Sequence, residues 1–317
     1  MSRYAAAVVG LGQVGLLFDD DAKRAGIWTH VSAYERYAAR FDLIAACDPD
    51  LTRRAKAQNR FPALRCYATL EEMMQAERLD VVSLCTPPDM HLGQIEMLAG
   101  RVRAIICEKP IGGVASDAAR TISLCEKTGT LLAINYYKRF DGCVPQAAQL
   151  IADGRLGTIR SAEALYAGPL EAVGSHAIDL LSFLLGKLAL KYACKTEDEK
   201  HLAVLAFGAA GLAVLRQTGP REELIFELDI IGSAGRVRIL DNCDRLEYNL
   251  FAPSERYGGY QELRTAEVAP YRAAERFLPL FEQVADKLDG RSLVLTSDGH
   301  SALAAQSLLE TILNVSA

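Results

Sequence analysis

Six residues near the start of the chain, Gly10-Leu11-Gly12-Gln13-Val14-Gly15, constrain its fold more than any other stretch. They follow an apolar run, Tyr4 to Val9, that reads as a strand, and they are expected to open a helix. In that context each glycine has a task. The first makes a tight turn, the second lets the backbone approach a pyrophosphate, and the third lets helix and strand pack closely. The N–H groups at a helix start then face the phosphates. The motif predicts a Rossmann-type domain that binds NAD(P), with Gly10, Gly12, Gln13, Val14 and Gly15 at the cofactor.

The text that follows agrees. Leu43 to Cys47, Val81 to Cys85, Ala104 to Cys107 and Leu131 to Ile134 are further apolar runs. Helical spacing lies between them, at Leu51 to Asn59, Thr69 to Ala76, His91 to Leu98 and Ser116 to Thr128. Apolar strands alternating with helices imply a parallel sheet covered on both faces. Phe18 to Trp28 is too charged and aperiodic for a helix and reads as an inserted loop before a helix at His30 to Ala39.

Alternation stops near Arg139 to Pro145. Beyond it, Ile159 to Ala167, Leu202 to Phe207, Leu212 to Gln217, Leu224 to Ile231, Val237 to Leu240 and Leu246 to Leu250 look like strands. Gly208 to Gly211 and Gly232 to Gly235 are turn signals, so an antiparallel meander is expected. Helices are expected at His176 to Leu185, Ala273 to Leu288 and Asp298 to Leu313. The fold class is α/β. A Rossmann domain over residues 1–140 is followed by an α/β domain over 141–317 with a large open, mostly antiparallel sheet, and the C-terminal helix is free to pack back on the first domain.

The acid that binds the adenosine ribose is expected at the end of the second strand, which selects Asp48 in AACDPD. Its distance from the glycines exceeds the usual gap of about 20 residues, and the inserted loop accounts for the excess. An acid there favours NAD over NADP; Arg53 and Arg54 come too late to follow it directly. Asp48 also suits a helix cap. Ligands of such sheets bind at the carboxyl ends of strands. Thr86, Pro87 and His91 after one strand, and Glu108 and Lys109 after the next, are therefore candidate cofactor contacts, with Lys109 nearest the reactive end. His91 has a structural reading as well, at a helix start. The Lys109-Pro110 bond is expected to be cis.

The net charge of -5, without any dense basic run, argues against nucleic acid. The eight cysteines form no C-x-x-C pair and sit mostly in apolar runs. They read as reduced thiols of a cytosolic protein. No pair of histidines has metal-ligand spacing, so no metal is expected. The apolar N-terminal stretch reads as a strand rather than a signal peptide, and no apolar stretch is long enough to span a membrane.

VVGLGQVG, AACDPD, VVSLCTPPDMH, CEKP, NYYKRF and GSHAIDLLSFLLG occur in the order seen in the Gfo/Idh/MocA oxidoreductases, which this chain resembles over essentially its whole length. The resemblance implies hydride transfer between NAD(P) and a carbinol or carbonyl of a sugar, cyclitol or sugar derivative. It places Lys109 beside nicotinamide and substrate. The family's second catalytic region reads D-x-x-x-H-x-x-D; here His176 and Asp179 match, whereas Ala172 replaces the first acid. By spacing, His176 and Asp179 share a helix face. Ser175 is a plausible N-cap, and a helix start would keep the His176 imidazole neutral. Tyr136 and Arg139 are expected to line the cleft. The lost acid leaves a rival, a non-catalytic NAD(P)- or sugar-binding protein on the same fold. An open apolar sheet face needs cover, which implies a homodimer or homotetramer.

Overall fold

The structure is a computed structural model that describes residues 3–24, 26–270, 276–292 and 294–316. The chain divides into two compact units, Met1–Tyr137 with Glu275–Leu303, and Lys138–Ala274 with Ala304–Ala317. The second unit thus starts close to where the alternation of strands and helices stops. A later segment, Glu275–Leu303, groups with the first unit.

In the first unit the elements are β1 (Tyr4–Val9), α1 (His30–Arg36), β2 (Phe41–Cys47), α2 (Leu51–Arg60), β3 (Arg65–Tyr67), α3 (Leu70–Ala76), β4 (Val81–Leu84), α4 (Pro88–Leu98), β5 (Ala104–Cys107), α5 (Ala115–Thr128) and β6 (Leu131–Ile134). The six strands form one sheet in the order β3-β2-β1-β4-β5-β6. Every neighbouring pair is parallel. β4 and β5 are buried at all their residues, as strands covered on both faces must be. Strand order reverses between β1 and β4, and the crevice outside their carboxyl ends is where this architecture binds ligands.

The second unit holds α6 (Cys143–Ala152), β7 (Ile159–Tyr166), α7 (Ser175–Leu185), β8 (Leu188–Lys195), β9 (His201–Phe207), β10 (Gly211–Gln217), β11 (Phe226–Gly232), β12 (Gly235–Leu240), β13 (Arg245–Pro253) and β14 (Gln261–Pro270). Its sheet runs β14-β13-β12-β11-β7-β10-β9-β8. Residues alternate between buried and accessible along β7, β9, β10, β11 and β12. The buried set packs under α6 and α7, and the other face is open. Part of that face is charged, with Arg216 3.2 Å from Glu163 and Arg236 paired with Asp229. Another part is apolar, with Leu212 and Tyr192 about half exposed. The chain ends in α8 (Leu278–Leu288), which belongs to the first unit, and α9 (Gly299–Val315).

Several expectations need correction. The glycine motif does not open a continuous helix. Turns and one 3-10 turn, Leu17–Asp20, follow it. The His30 N–H then donates to the Val14 carbonyl at 3.0 Å and Val31 to Gly15 at 3.3 Å. The helix that the glycines begin is thus resumed at His30, and the inserted segment is looped out of it. The meander is interrupted: β7 lies between β11 and β10 and runs parallel to β10. The short edge strand β3 and the strands β8 and β14, with helix α6, were not anticipated. The helix start expected at Ala273 lies outside the described residues; α8 begins at Leu278.

Candidate functional site

A cavity of about 1100 Å³ opens at the carboxyl ends of β1, β2 and β4. That is slightly above the usual range for small-molecule sites, ~300–1,000 Å³. Gly10, Gly12, Gln13, Val14, Asp48, Thr86 and Pro87 line it, as do Phe18 and Arg53. Gly15, His91, Glu108 and Lys109 are not in its wall.

The three glycines differ in what they make room for. Gly10 has φ +89°, and a Cβ there would lie 2.9 Å from the backbone of Cys85. At Gly15 a Cβ would lie 2.0 Å from the Gly10 carbonyl oxygen. Protein packing therefore demands both. At Gly12 the nearest atom to a Cβ is Nη1 of Arg53, 3.9 Å away. No atom of the described residues requires glycine there; the space it leaves faces the cavity. A backbone cradle next to an empty wall fits a dinucleotide's pyrophosphate.

Asp48 is 2 % exposed. Its Oδ2 accepts from the Leu11 N–H at 2.7 Å, and its Oδ1 from the Asp50 N–H at 2.9 Å. It ties the glycine loop to the end of β2 while its edge lines the cavity. The capping of α2 falls to Asp50, which accepts from Thr52 and Arg53. Arg53 stands beside Asp48, Nη1 to Oδ2 3.5 Å, closer than the sequence suggested.

The next strand end carries Glu108, Lys109 and a cis Lys109-Pro110 bond, as expected. Lys109 is partly accessible. Glu108 Oε1 accepts from Asn135 Nδ2 at 2.6 Å and lies 2.9 Å from His30 Nε2. His30 is fully buried, edge-on to Phe277 and Phe281. His91 is fully buried too. Its Nε2 lies 2.9 Å from the Thr86 carbonyl, and its Nδ1 3.0 Å from that of Pro110. The ring ties the loop after β4 to the loop after β5. Burial holds its pKa below the ordinary value of 6.5, although the carbonyls work the other way. Burial also pushes the thiols of Cys85 and Cys107 up, with Glu108 adding to both.

In the second unit, Leu170–Gly174 form a π turn that runs directly into α7. Ser175 is not the N-cap. Its N–H bonds to the Leu170 and Val173 carbonyls, and its Oγ donates to the Ala172 carbonyl at 3.2 Å. The helical end lies a turn earlier than the sequence suggested, so the argument from a free helix start does not apply to His176. His176 is 6 % exposed and Asp179 is fully buried. Arg139 grips Asp179 from two nitrogens, Nε to Oδ2 at 2.9 Å and Nη2 to Oδ1 at 2.5 Å. Sequence spacing placed Asp179 beside His176 and gave no sign of this ion pair. Burial, with Glu171 adding, holds the Tyr166 phenol well above its ordinary pKa.

Among the described residues no group of three or more His, Cys, Asp or Glu side chains is arranged to hold a metal ion. No helix among them is long and apolar enough to cross a membrane.

Residues 5–136 match a family model described as an oxidoreductase family with an NAD-binding Rossmann fold. D-apiose dehydrogenase of Paraburkholderia graminis is 28% identical over 203 residues, 59% of this chain and 51% of that protein. Inositol 2-dehydrogenase of Rhizobium meliloti is 29% identical over 175 residues, 50% of this chain and 52% of that protein. The chain spans about half the length of the curated relatives it matches. The WlbA dehydrogenase of Bordetella pertussis, solved in complex with NADH and UDP-GlcNAcA, superimposes with a TM-score of 0.80 at 20% identity, over 99% of this chain and 95% of that one. That likeness covers the fold of the whole chain.

Proposed function

We propose that this chain is a Gfo/Idh/MocA oxidoreductase, the family whose model residues 5–136 match, and that it transfers a hydride between NAD and a carbinol or carbonyl of a sugar, cyclitol or sugar derivative. The observation that carries this reading is Gly12, a glycine that no contact among the described residues requires and that opens onto a cavity of dinucleotide size. The nicotinamide cofactor, when bound, supplies the hydride chemistry.

Gly10, Gly12, Gln13 and Val14 hold the pyrophosphate, Asp48 receives the adenosine ribose, and Thr86 and Pro87 line the passage towards the nicotinamide. The buried acid at Asp48 supports NAD over NADP. Lys109 takes the hydroxyl proton of the substrate during oxidation and returns it during reduction, and its charge steadies the alkoxide. Glu108 is fixed by His30 and Asn135, which orients the residue next to it in sequence. His176 is the second proton carrier. Asp179 is a positioning residue, since its carboxylate is committed to Arg139. The apolar part of the open sheet face supports a homodimer or homotetramer, and the eight free cysteines support a cytosolic setting.

Ala172, in place of the family's acid, favours the second reading, a protein that binds NAD and a sugar without turnover. NADH formation and consumption across a panel of sugars and cyclitols, with wild type and Lys109→Ala, separates the two. The enzyme reading expects turnover that Lys109→Ala lowers at least about a hundredfold with NAD affinity retained.

A further inference from the structure

The segment looped out of the first helix has its own anchoring. Asp19 Oδ2 accepts from Thr29 Oγ1 and Ser32 Oγ, both at 2.5 Å, and pairs with Arg60 at 2.7 Å. Two ends of the loop are thereby clamped together across α1 and α2. Between them the loop presents an alternation of cations and rings. The Arg24 guanidinium lies 3.9 Å from the centre of the Phe18 ring and 5.2 Å from that of Trp28. Arg276 lies 4.5 Å from the Trp28 ring.

A chain of ring contacts links this cluster to the residue before Lys109. Trp28 meets Tyr137 edge-on at 6.0 Å, and Tyr137 stacks on Phe277 at 5.5 Å. Phe277 packs on His30, and His30 contacts Glu108, the residue before Lys109. At the other end, Phe18 is in the wall of the cofactor cavity.

Arg24 is held but not consumed. Its Nε, buried and without a hydrogen bond, is the atom that faces the half-exposed carboxylate of Asp21, 3.3 Å from Oδ2. Asp21 also accepts from the Lys23 N–H. Aromatic rings that fix a guanidinium plane leave its N–H edge preorganised, and that edge matches the two oxygens of a carboxylate or phosphate. Arg276 adds a second positive charge at the Trp28 ring.

We propose that Arg24 is the receptor for an oxyanion on the substrate, and that the substrate is therefore an acidic sugar derivative bearing a carboxylate rather than a neutral sugar. This rests on the oxidoreductase reading above. The same fork suits the cofactor's diphosphate, so the test carries an arm for each source.

Turnover with NAD is measured for D-glucuronate and D-galacturonate beside D-glucose and D-galactose, using wild type and Arg24→Gln, and NADH affinity is measured by fluorescence titration. The inference expects the wild type to favour the acids by about tenfold or more in kcat/KM, roughly the 1.4 kcal/mol of one good charged contact. Arg24→Gln abolishes that preference through KM, with NADH affinity unchanged. A wild type that favours the neutral sugars, or a preference that survives Arg24→Gln, overturns it. A loss of NADH affinity in Arg24→Gln assigns the residue to the diphosphate and overturns it as well. Should none of the four sugars turn over, calorimetric titration of each into the NADH-bound protein still decides the matter: acid binding that Arg24→Gln removes supports the inference, and absence of acid binding overturns it.

Discussion

Asp179 sits at the position where the family pattern puts a site acid, yet its carboxylate is held from two sides by Arg139, and the two side chains are 0% and 2% exposed. Asp179→Asn keeps the shape and removes the charge. One of the two gripping contacts becomes an amide facing a guanidinium, and the buried Arg139 loses the charge of Asp179. Breaking a buried pair in this way costs about 3–5 kcal/mol. At roughly 2–4 °C per kcal/mol for a unit of 150–250 residues, the unfolding midpoint should fall by about 6–20 °C. Urea unfolding followed by circular dichroism at neutral pH reads the free energy, and a thermal scan reads the midpoint. The double variant Arg139→Met/Asp179→Leu removes both charges and should regain most of the loss, because well-packed apolar replacements of a buried pair are often neutral. An Asp179→Asn protein within about 1 kcal/mol of wild type would refute the positioning role. If that same protein lost activity, Asp179 would be assigned a part in the chemistry itself.

Two further predictions follow from the first unit. Wild type should bind NAD more tightly than NADP in paired titrations, and Asp48→Ala should weaken NAD binding and narrow the gap; equal or better NADP binding by wild type would refute the assignment, with Arg53 the residue to suspect. The second concerns acid. The folded-state pKa of His91 is depressed below 6.5 by burial, so the unfolded chain takes up a proton first as pH falls. Its stabilising effect is complete above 6.5 and is lost as pH drops from there through the lowered folded value. Unfolding midpoints of wild type measured between pH 7.5 and 5 should fall more steeply than those of His91→Gln, and parallel curves would contradict this.

Much of the first unit was legible because its determinants are local. An apolar run followed by Gly-x-Gly-x-x-Gly declares strand and turn within a dozen residues, and Lys109-Pro110 announces a cis bond by its place after a strand. What the sequence hid depends on distant partners. That the helix interrupted after Gly15 resumes at His30 is visible only in the bonds from His30 and Val31 back to Val14 and Gly15. The insertion of β7 between β10 and β11 joins strands far apart in the chain, and no pattern of alternation records it. β3, with three residues, is too short to carry a periodic signal. The π turn before α7 has no sequence signature, so Ser175 looked like a cap. The candidate site was legible as residue types in the right order, but the partners that fix them were not: Leu11 on Asp48, His30 and Asn135 on Glu108, Arg139 on Asp179.

The central claim is that this chain moves a hydride and that Lys109 moves the accompanying proton. Absorbance at the NADH band, followed with a broad sugar and cyclitol panel for wild type and Lys109→Ala, tests it most directly. The account predicts turnover on at least one sugar-like substrate, a drop of at least about a hundredfold in Lys109→Ala, and NAD binding retained by both proteins. Full activity in Lys109→Ala, or tight NAD binding by a wild type that turns over nothing, would contradict it.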